Sequence, residues 1–463
     1  MVHAQDFANA QGETLLRIIH FNDVYHLNES ANEPVGGAAR FYTALQQARA
    51  FVSQQEESLP HADALVLFSG DCFNPSIESS VTKGKHMVPF MNKLNIDVAC
   101  YGNHDFDFGL AMLEKLTGSC NFPWLLSNVL NSETGEPLAS GKKSLILERA
   151  GLRIGFIGLV EKEWLDTIPN LPSTLEYHDF VTVGRDLAQR LRTPEGGNCD
   201  LVIALTHMRL LNDELCVREL ADDIDLVLGG HDHFAHYGGA TRPDDGGLRL
   251  IKSGCDFRHL SRIELTIGKE NEAHPSIITR EVHADEDIVQ LVESLTGEIN
   301  AKLITPVGRT LTAWDARSTT VRLREAAIGN LAADLMRYHW PDSDIGLLCG
   351  GTIRSDSVYG PGVITKRDIL DIFPFEDPAV VVRISGQVLL DTLESALSQV
   401  PKQEGRFPQV SGCRIIYEPT GTPGSRVRRV LARPGEEPLD LERIYTVSTR
   451  YYLACGNDGY EPL

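Results

Sequence analysis

Short apolar runs alternate with amphipathic segments between residues 15 and 235, and this alternation restricts the possible fold more than any other feature of the chain. The runs are rich in Val, Ile and Leu and have the length of buried strands. The segments at 37–54, 82–94 and 212–221 have helical spacing. Strands that alternate with helices in this way predict an α/β fold. The strand candidates are LLRIIHFND, ALVLFSGD, VACYGNHD, LLSNV, LVIALTHM and DLVLGGHD.

Two further patterns concern chain organisation. LILERAGLRIGFIGLV predicts a hairpin that turns at Ala150-Gly151. A chain of 463 residues is too long for one ordinary core, and EDIVQLVESLTGEINAKL has the helical spacing of a connection between two domains. We therefore predict a first domain over residues 1–283, a connecting helix over 284–305, and a smaller second domain over 306–463. The second domain begins its own pattern with the helix candidate LREAAIGNLAADLMRYH.

The composition excludes several classes of function. A formal net charge of -21, from 43 Lys and Arg against 64 Asp and Glu, opposes binding to a nucleic acid duplex. It permits a small phosphorylated substrate where metal ions or a few arginines invert the local field. No apolar run reaches the roughly 18 residues of a membrane helix, so we expect no membrane partner. The sequence carries no indication of the oligomeric state.

The cysteines and the first residues bear on location. Nine cysteines without a CxxC pair favour reduced thiols over a disulfide framework or a zinc knuckle. The first thirteen residues, MVHAQDFANAQGE, contain neither Lys nor Arg and no apolar stretch typical of a secretion signal. These features favour a cytoplasmic location.

Polar side chains follow five of the apolar runs at the point where each run ends. In an open parallel sheet the carboxyl ends of the strands meet at one rim, so we expect these side chains to converge. Asp and Asn offer oxygen and His offers nitrogen, a mixture that suits two divalent ions such as Zn, Mn, Fe or Co. Taken singly, each Asp is typical of an Asx turn or a helix cap, and each His is typical of a satisfied surface or core group. The set comprises Asp23, His26, Asp71, Asn103, His104, His207, His231 and His233.

These motifs resemble those of the two-domain 5'-nucleotidases, whose amino-terminal half belongs to the calcineurin-like metallophosphoesterases. The matching segments, in family order, are FND, GD at 70–71, GNHDFDFG at 102–109, TH at 206–207 and GGHDH at 229–233. The resemblance implies a four-layer α/β/β/α sandwich followed by a smaller α/β substrate-binding domain. It also implies two divalent metal ions and a phosphorylated substrate, with a water attacking phosphorus in line.

The resemblance assigns roles to individual residues. One metal ion would be held by Asp23, Asp71, His233 and a residue at position 25 or 26, and the other by Asp71, Asn103, His207 and His231. Asp71 would bridge the two ions. His104 would act as the catalytic group beside the leaving oxygen, with Asp107 orienting its ring. The alternative for Asp107 is a cap of the helix FGLAMLEKL.

The first metal site departs from the family pattern, which is Asp-x-His. Tyr25 stands two residues after Asp23, and His26 stands three residues after it. In the related purple acid phosphatases a tyrosine ligand lies three positions after an acid, and here His26 occupies that third position. We therefore favour His26 as the ligand, with Tyr25 or a water-filled position as the alternatives.

The second half resembles the family's substrate-binding domain in the segments VRLREAAIGNLAADLM, CGGTIR, FPFED and YYLACGNDGY. On these motifs, Arg322 and Arg354 would contact phosphate or ribose oxygens, Phe375 and Tyr452 would stack on a base, and Asp458 would accept a hydrogen bond from ribose. Base stacking contributes about 1–3 kcal/mol per aromatic ring. Each aromatic residue could instead belong to the core, and Arg322 could pair with an acid.

Three departures in this half bear on substrate specificity. Cys349 replaces the asparagine of the family loop, Thr352 replaces a glycine, and Tyr452 replaces a phenylalanine. We expect a dinuclear metal-dependent phosphomonoesterase of the 5'-nucleotidase type. The alternatives are a 2',3'-cyclic phosphodiesterase, a nucleotide-sugar pyrophosphatase, a phosphatase of another metabolite, and a nucleotide-binding protein with an impaired first metal site.

Overall fold

A computed structural model describes residues 15–30, 32–50, 64–168, 171–238, 248–266, 272–375, 377–432 and 437–463. The chain forms two compact units, the first ending at Glu298 and the second beginning at Ile299. The division falls inside the helix Glu286–Leu303, which is the segment that the sequence predicts as the connection. None of the described helices combines the length and the apolar character needed to cross a bilayer.

The first unit is built from two six-stranded sheets, one two-stranded sheet and the helices that cover them. Its strands are β1 (Leu15–Phe21), β2 (Leu65–Phe68), β3 (Val98–Cys100), β4 (Trp124–Leu125), β5 (Val129–Asn131), β6 (Ser144–Arg149), β7 (Leu152–Val160), β8 (Leu175–Tyr177), β9 (Leu201–His207), β10 (Leu226–Gly229), β11 (Ala235–Gly238), β12 (Leu250–Ser253), β13 (His259–Thr266) and β14 (Glu272–Ile277). Its helices are α1 (Ala38–Ala50), α2 (Ile77–Thr82), α3 (Met87–Lys93), α4 (Leu110–Thr117), α5 (Phe180–Arg192), α6 (Leu210–Glu219) and α7 (Glu286–Leu303).

The strand order is β14-β13-β1-β2-β3-β4 in one sheet and β11-β12-β10-β9-β7-β6 in the other. Alternate residues of each strand face different cores, as the two-residue period of a strand requires. In β2, Leu65 and Leu67 face the core between the sheets, whereas Val66 and Phe68 face the core under the helices. In β9, Ile203 lies in the core between the sheets. The layers therefore follow the order helix, sheet, sheet, helix, which confirms the predicted four-layer α/β/β/α fold.

Most predicted elements of this unit are present. The six strand candidates all contain strands, although LLSNV spans the end of β4 and the start of β5. The hairpin turns where expected, with Ala150 at φ 49° and Gly151 at φ 75°. The predicted helix 82–94 is wrong in its first part, because Lys83 at φ 54° and Gly84 at φ 81° end α2 and α3 begins at Met87. Positions 51–54 of the helix predicted over 37–54 lie outside the described residues.

The expectation of one sheet with one rim needs correction. The first three of the five runs form the parallel neighbours β1, β2 and β3 in one sheet, and the other two form the parallel neighbours β9 and β10 in the second sheet. The two sheets share a core, and His207 at the carboxyl end of β9 lies close to Asp23 and Asp71, which follow β1 and β2. The predicted side chains therefore meet across the sandwich instead of along a single edge.

The second unit contains a four-stranded sheet, a three-stranded sheet and two short pairs. Its strands are β15 (Pro306–Thr310), β16 (Trp314–Asp315), β17 (Ile345–Cys349), β18 (Val358–Tyr359), β19 (Gly362–Thr365), β20 (Ala379–Ser385), β21 (Pro408–Ser411), β22 (Cys413–Tyr417), β23 (Val427–Ala432), β24 (Glu437–Pro438) and β25 (Ile444–Arg450). Its helices are α8 (Ser318–Val321), α9 (Ala327–His339), α10 (Lys366–Ile372), α11 (Gly386–Leu397) and α12 (Tyr451–Ala454).

Strands β17 and β25 bring the predicted substrate-binding motifs to one edge. The larger sheet has the order β20-β25-β17-β21, and β17 pairs with β25 in parallel. The loop that follows Cys349 and the helix that follows Arg450 consequently leave the sheet on the same side. These two segments contain CGGTIR and YYLACGNDGY.

Candidate metal centre

Two buried carboxylates form the middle of the site in the first unit. Asp23 follows β1, Asp71 follows β2, and both residues are buried. One ligand atom from each, together with one from His207, lies within 4.8 Å of the others. His207 Nε2 is 3.2 Å from Asp71 Oδ2 and 4.0 Å from Asp23 Oδ1. Each sheet thus contributes to a single buried cluster.

The hydroxyl of Tyr25 lies on one side of these carboxylates. It donates to Asp23 Oδ1 at 3.0 Å and to Asp71 Oδ2 at 3.1 Å, and it lies 2.8 Å from His233 Nε2. His233 Nε2 is in turn 3.3 Å from Asp23 Oδ1. Donor atoms bound to one ion at about 2.1 Å are separated from one another by roughly 3.0–3.4 Å. Four separations among these atoms, from 2.8 to 3.3 Å, are thus close to the spacing of ligands around a single cation.

A second group of donors comprises Asn103, His207 and His231, with the His207 and His231 ring centres 5.1 Å apart. His207 Nδ1 donates to the backbone carbonyl of Ser69 at 2.8 Å, which turns Nε2 towards Asp71. Nε2 is fully buried and forms no hydrogen bond in the described structure. His231 Nδ1 lies 3.1 Å from Asn103 Oδ1. An imidazole oriented through its other nitrogen by a carbonyl is typical of metal ligands.

The electrostatics of the cluster fit a bound cation. Burial alone would raise the pKa of Asp23 and Asp71, but His207 opposes it and both pKa values fall below the usual range. Burial alone would lower the pKa of His207, yet Asp71 and Asp23 raise it to about 10. The two carboxylates therefore draw positive charge onto the imidazole. A divalent ion supplies such charge directly. The ligand atoms and the negative charge of the two carboxylates therefore fit a metal centre.

The backbone at the site is strained. Asp23, Asp71, His231 and His233 have φ values of 52°, 67°, 82° and 63°, in the left-handed region that non-glycine residues seldom adopt. Such strain concentrates at functional sites. At Gly102 a Cβ atom would lie 2.1 Å from Asp71 Oδ1, so only glycine permits this close approach. The strained backbone conformations thus orient these side chains.

His104 and Asp107 form the predicted pair. His104 lies on a short 3-10 helix, Asn103–Phe106, and its Nδ1 is 2.9 Å from Asp107 Oδ2. Asn74 Nδ2 also donates to Asp107 Oδ2, at 2.6 Å. The alternative of a helix cap is not supported, because Gly109 is the N-cap of α4. The backbone N–H of His104 donates to Asp71 Oδ1 at 2.8 Å, which joins the pair to the metal cluster.

In the second unit, Arg450 joins the two predicted base-stacking residues. Its guanidinium carbon lies 5.7 Å from the ring centre of Phe375 and 5.8 Å from that of Tyr452. Arg450 forms an ion pair with Asp377 at 2.9 Å, and the Asp377 carboxylate accepts the backbone N–H of Tyr452 at 3.1 Å. Arg354 lies 5.2 Å from the Phe375 ring centre. The structure thus gathers both aromatic side chains and Arg354 around one ion pair.

Asp458 and Arg322 belong to the same unit. Asp458 has a φ of 52°, and Cys349 Sγ donates to its Oδ2 at 3.5 Å. Burial raises the pKa of Asp458, while Cys349, Arg406 and Arg322 act in the opposite direction. Thr352 Oγ1 accepts a hydrogen bond from Arg450 at 3.0 Å. The two departures from the loop pattern, at positions 349 and 352, therefore contact predicted site residues or their partners.

Two family models match the chain. One, described as calcineurin-like phosphoesterase, covers residues 16–235, and the other, described as 5'-nucleotidase C-terminal domain, covers residues 306–463. The chain belongs to this two-domain metallophosphoesterase family. It is accordingly a metal-dependent phosphoric ester hydrolase. The family uses two divalent metal ions, and the cluster in the first unit offers the ligands for them.

Related proteins match along almost the whole chain. Snake venom 5'-nucleotidase of Crotalus adamanteus is 26% identical over 503 residues, which cover 98% of this chain and 83% of that protein. Human 5'-nucleotidase is also 26% identical, with coverage of 98% and 85%. An apyrase of Tabanus yao is 27% identical, with coverage of 98% and 88%. The crystal structure of a 5'-nucleotidase precursor from Thermus thermophilus shares the fold, with a TM-score of 0.82, 24% identity and coverage of 97% and 91%.

The structure places Tyr25, and not His26, against the central carboxylates, so the expectation for His26 needs correction. The His26 side chain is 44% exposed, and its Nδ1 lies 3.0 Å from Asp256 Oδ1. Its backbone N–H donates to the same oxygen at 3.0 Å. Tyr25 is only 5% exposed and contacts both Asp23 and Asp71. The geometry therefore favours Tyr25 as the residue that completes the first site.

Replacing Tyr25 with phenylalanine is expected to lower the metal content more than replacing His26 with alanine. Phenylalanine retains the ring and loses only the hydroxyl that contacts Asp23 and Asp71. The measurement is the metal-to-protein ratio by mass spectrometry after dialysis against limiting Mn²⁺. Tyr42→Phe, in helix α1 of the same unit, is the control and should retain the wild-type ratio. The reverse order of the two losses would return the role to His26.

Two acidic residues that were not among the predicted site residues support the site. Asp105 is buried and accepts the backbone N–H groups of Asp71, Cys72 and Gly102 at 3.0, 2.9 and 2.8 Å. Glu161 is 1% exposed, and its Oε1 lies 3.8 Å from His231 Nε2. Glu161 directly follows the apolar run of β7, so the rule that identified the other residues could have found it. Asp105 is the last residue of GNHD.

Proposed function

We propose that this metallophosphoesterase hydrolyses nucleoside 5'-monophosphates to nucleoside and inorganic phosphate. The observation that carries the proposal is the buried cluster of Asp23, Asp71 and His207, with Tyr25 and His233 at coordination spacing. Relatives named 5'-nucleotidase match along nearly the whole chain, and the second unit presents two aromatic rings beside arginines. Together these features favour a nucleotide as the phosphorylated substrate.

The first ion would be held by Asp23, Asp71, Tyr25 and His233, and the second by Asp71, Asn103, His207 and His231. When bound, the two ions supply Lewis acidity, which makes a water nucleophilic and neutralises charge on the phosphoryl group. Asp71 supports both sets, because its Oδ2 lies 3.1 Å from the Tyr25 hydroxyl and 3.2 Å from His207 Nε2. Asp23 is less suited to this shared role, since its Oδ1 lies 4.0 Å from the same nitrogen.

His104 is the proton donor in this proposal. Asp107 binds its Nδ1, which fixes the ring so that Nε2 is the nitrogen presented to the leaving oxygen. Asn74 holds Asp107 from the other side. A carboxylate that orients an imidazole also stabilises its protonated form. The pair can therefore deliver a proton as the ester bond breaks.

The second unit would select the leaving nucleoside. Phe375 and Tyr452 would stack on the base, Arg322 and Arg354 would contact oxygens of the phosphate or ribose, and Asp458 would accept from a ribose hydroxyl. Aromatic faces bind every base, and guanidinium groups suit phosphate oxygens. The ion pair of Arg450 with Asp377 fixes the segments that carry both rings. Base preference therefore depends on the edge groups around the rings.

The test is hydrolysis of a substrate panel by the full chain loaded with Mn²⁺, Zn²⁺ or Co²⁺. AMP should show the highest kcat/KM and release one adenosine for each phosphate. The panel also contains ADP, because a relative is named apyrase, together with a 2',3'-cyclic nucleotide, UDP-glucose and a sugar phosphate. A higher kcat/KM for one of these compounds than for AMP would assign the protein to the corresponding class of hydrolase. Tight AMP binding without phosphate release under every ion would favour a non-catalytic nucleotide-binding protein.

The cytoplasmic location is likewise a proposal. All nine cysteines have free thiols in the structure, as is usual for proteins of a reducing compartment. Fractionation of cells that express the native gene, followed by immunoblotting of each fraction, tests it directly. Recovery with cytosolic markers is the expected result, and recovery with the medium or with membranes would contradict it.

A further inference from the structure

Lys252 is a buried cation that the mechanism above does not use. It lies in β12, whose neighbours in the sheet are β10 and β11, and the residue is 1% exposed. A lysine ammonium is rarely found in a core unless several groups satisfy it, because its desolvation is costly. The groups that contact the ammonium therefore indicate the role of Lys252.

The Lys252 ammonium contacts four acceptors. Nζ donates to the backbone carbonyls of Met208 at 2.8 Å and Gly230 at 2.5 Å. It forms ion pairs with Asp213 Oδ2 at 2.6 Å and Asp232 Oδ2 at 2.8 Å. Asp213 is completely buried. One positive charge thus links two carboxylates and two separate backbone segments.

These backbone segments carry three of the residues assigned to the metal centre. Met208 follows His207, Gly230 precedes His231, and Asp232 lies between His231 and His233. Asp213 also accepts a hydrogen bond from Thr206 Oγ1 at 2.6 Å, so the ion pair holds the His207 segment from both sides. The register of β10 and β12 places Lys252 opposite Gly229, where a Cβ atom would lie 2.8 Å from Asp213 Oδ2. The glycine before the GHDH segment therefore makes room for this ion pair.

We propose that Lys252 is a positioning residue of the metal centre, which holds the His207 segment and the His231–His233 segment in the geometry that binds the ions. It reaches the ions only through these segments. The inference rests on the metal centre proposed above and adds a group from outside the known motifs. Loss of an outer partner of a metal ligand weakens metal binding by roughly 10–100-fold, which sets the expected effect.

The experiment compares Mn²⁺ binding by the wild-type chain and by Lys252→Met after both are stripped with chelator. Methionine has a similar length and cannot donate to the two carbonyls. Equilibrium dialysis should show at least a tenfold higher dissociation constant for Mn²⁺, and the electron paramagnetic resonance signal of a coupled Mn²⁺ pair should be lost or altered. Arg149→Met, which breaks the ion pair of Arg149 with Asp97 in the same unit, should bind Mn²⁺ as the wild type does.

A second variant distinguishes the loss of positioning from two other effects of Lys252→Met, an unbalanced buried charge and a folding defect. Lys252→Met combined with Asp213→Asn removes one positive and one negative charge together, and the introduced amide can still accept the hydrogen bond from Thr206. It should recover thermal stability relative to the single variant and still bind Mn²⁺ weakly, because the Met208 and Gly230 carbonyls have lost their donor. Wild-type affinity and an unchanged coupled signal in either folded variant would overturn the inference. A wild-type chain that binds no pair of ions would overturn the proposed function as well.

Discussion

Replacing Asp71 with asparagine is expected to abolish the binding of one or both metal ions and to lower the kcat for AMP by more than about a thousandfold. Asp71 is the carboxylate whose Oδ2 lies 3.1 Å from the Tyr25 hydroxyl and 3.2 Å from His207 Nε2. Loss of an outer partner of a ligand costs roughly 10–100-fold, so loss of a ligand shared by both ions should exceed that range. Metal content by mass spectrometry and kcat for AMP are the two measurements.

Asparagine preserves the shape of the side chain and the acceptor for the His104 backbone N–H. A folding defect is therefore not the expected cause of the loss. Asp97→Asn is the matched control, because Asp97 accepts the backbone N–H of Val66 in the same sheet and pairs with Arg149 away from the cluster. Two ions per chain and normal turnover in Asp71→Asn would show that this carboxylate does not bridge the centre.

Replacing His104 with alanine is expected to lower kcat for AMP by about 10²–10⁴-fold while leaving two metal ions bound. The imidazole contacts Asp107 through Nδ1, and it is the backbone N–H of His104 that donates to the central carboxylate of Asp71. A proton donor to the leaving oxygen matters less when the leaving group is a stable anion. Hydrolysis of p-nitrophenyl phosphate should consequently fall much less than hydrolysis of AMP.

His178→Ala is the control for this variant, since His178 pairs with Glu176 on the surface of the same unit. It should hydrolyse both substrates at the wild-type rate. Asp107→Ala should lose part of the same activity, because the ring of His104 would remain while the acceptor that orients it is removed. Equal losses on AMP and on p-nitrophenyl phosphate would remove the role of proton donor from His104.

Much of the site could be predicted from the sequence because one local rule applied repeatedly. An apolar run that ends on a polar residue marks the carboxyl end of a buried strand, and parallel strands align such ends. The rule identified Asp23, Asp71 and His207, and it would also have identified Glu161. It succeeds because strand formation and strand ends depend mainly on neighbouring residues.

Other features depend on contacts between distant parts of the chain. The division of the strands into two sheets is set by burial of Ile18, Leu67 and Leu205 in one shared core, which no local pattern records. The choice between Tyr25 and His26 depends on Asp256, which lies 230 residues from His26 and binds its backbone and ring. Asp23 at φ 52° then turns the chain so that Tyr25 faces the carboxylates.

The burial of Lys252 also depends on contacts between distant parts of the chain. In the sequence it is a single charge between Ile251 and Ser253, which is typical of a strand with one exposed face. Its burial follows from Asp213 and Asp232, which come from the segments after β9 and β10. Partners of this kind become visible only when the sheet register is known.

Anomalous X-ray diffraction from crystals of the full chain grown with Mn²⁺ would locate the metal ions themselves. Two peaks about 3.5–4 Å apart are expected, the usual separation in two-metal phosphatases. Asp71 should lie between them, with Tyr25 and His233 at one peak and His207 and His231 at the other. A single peak elsewhere, or none within bonding distance of Asp23 and Asp71 under saturating Mn²⁺, would contradict a dinuclear centre in this protein.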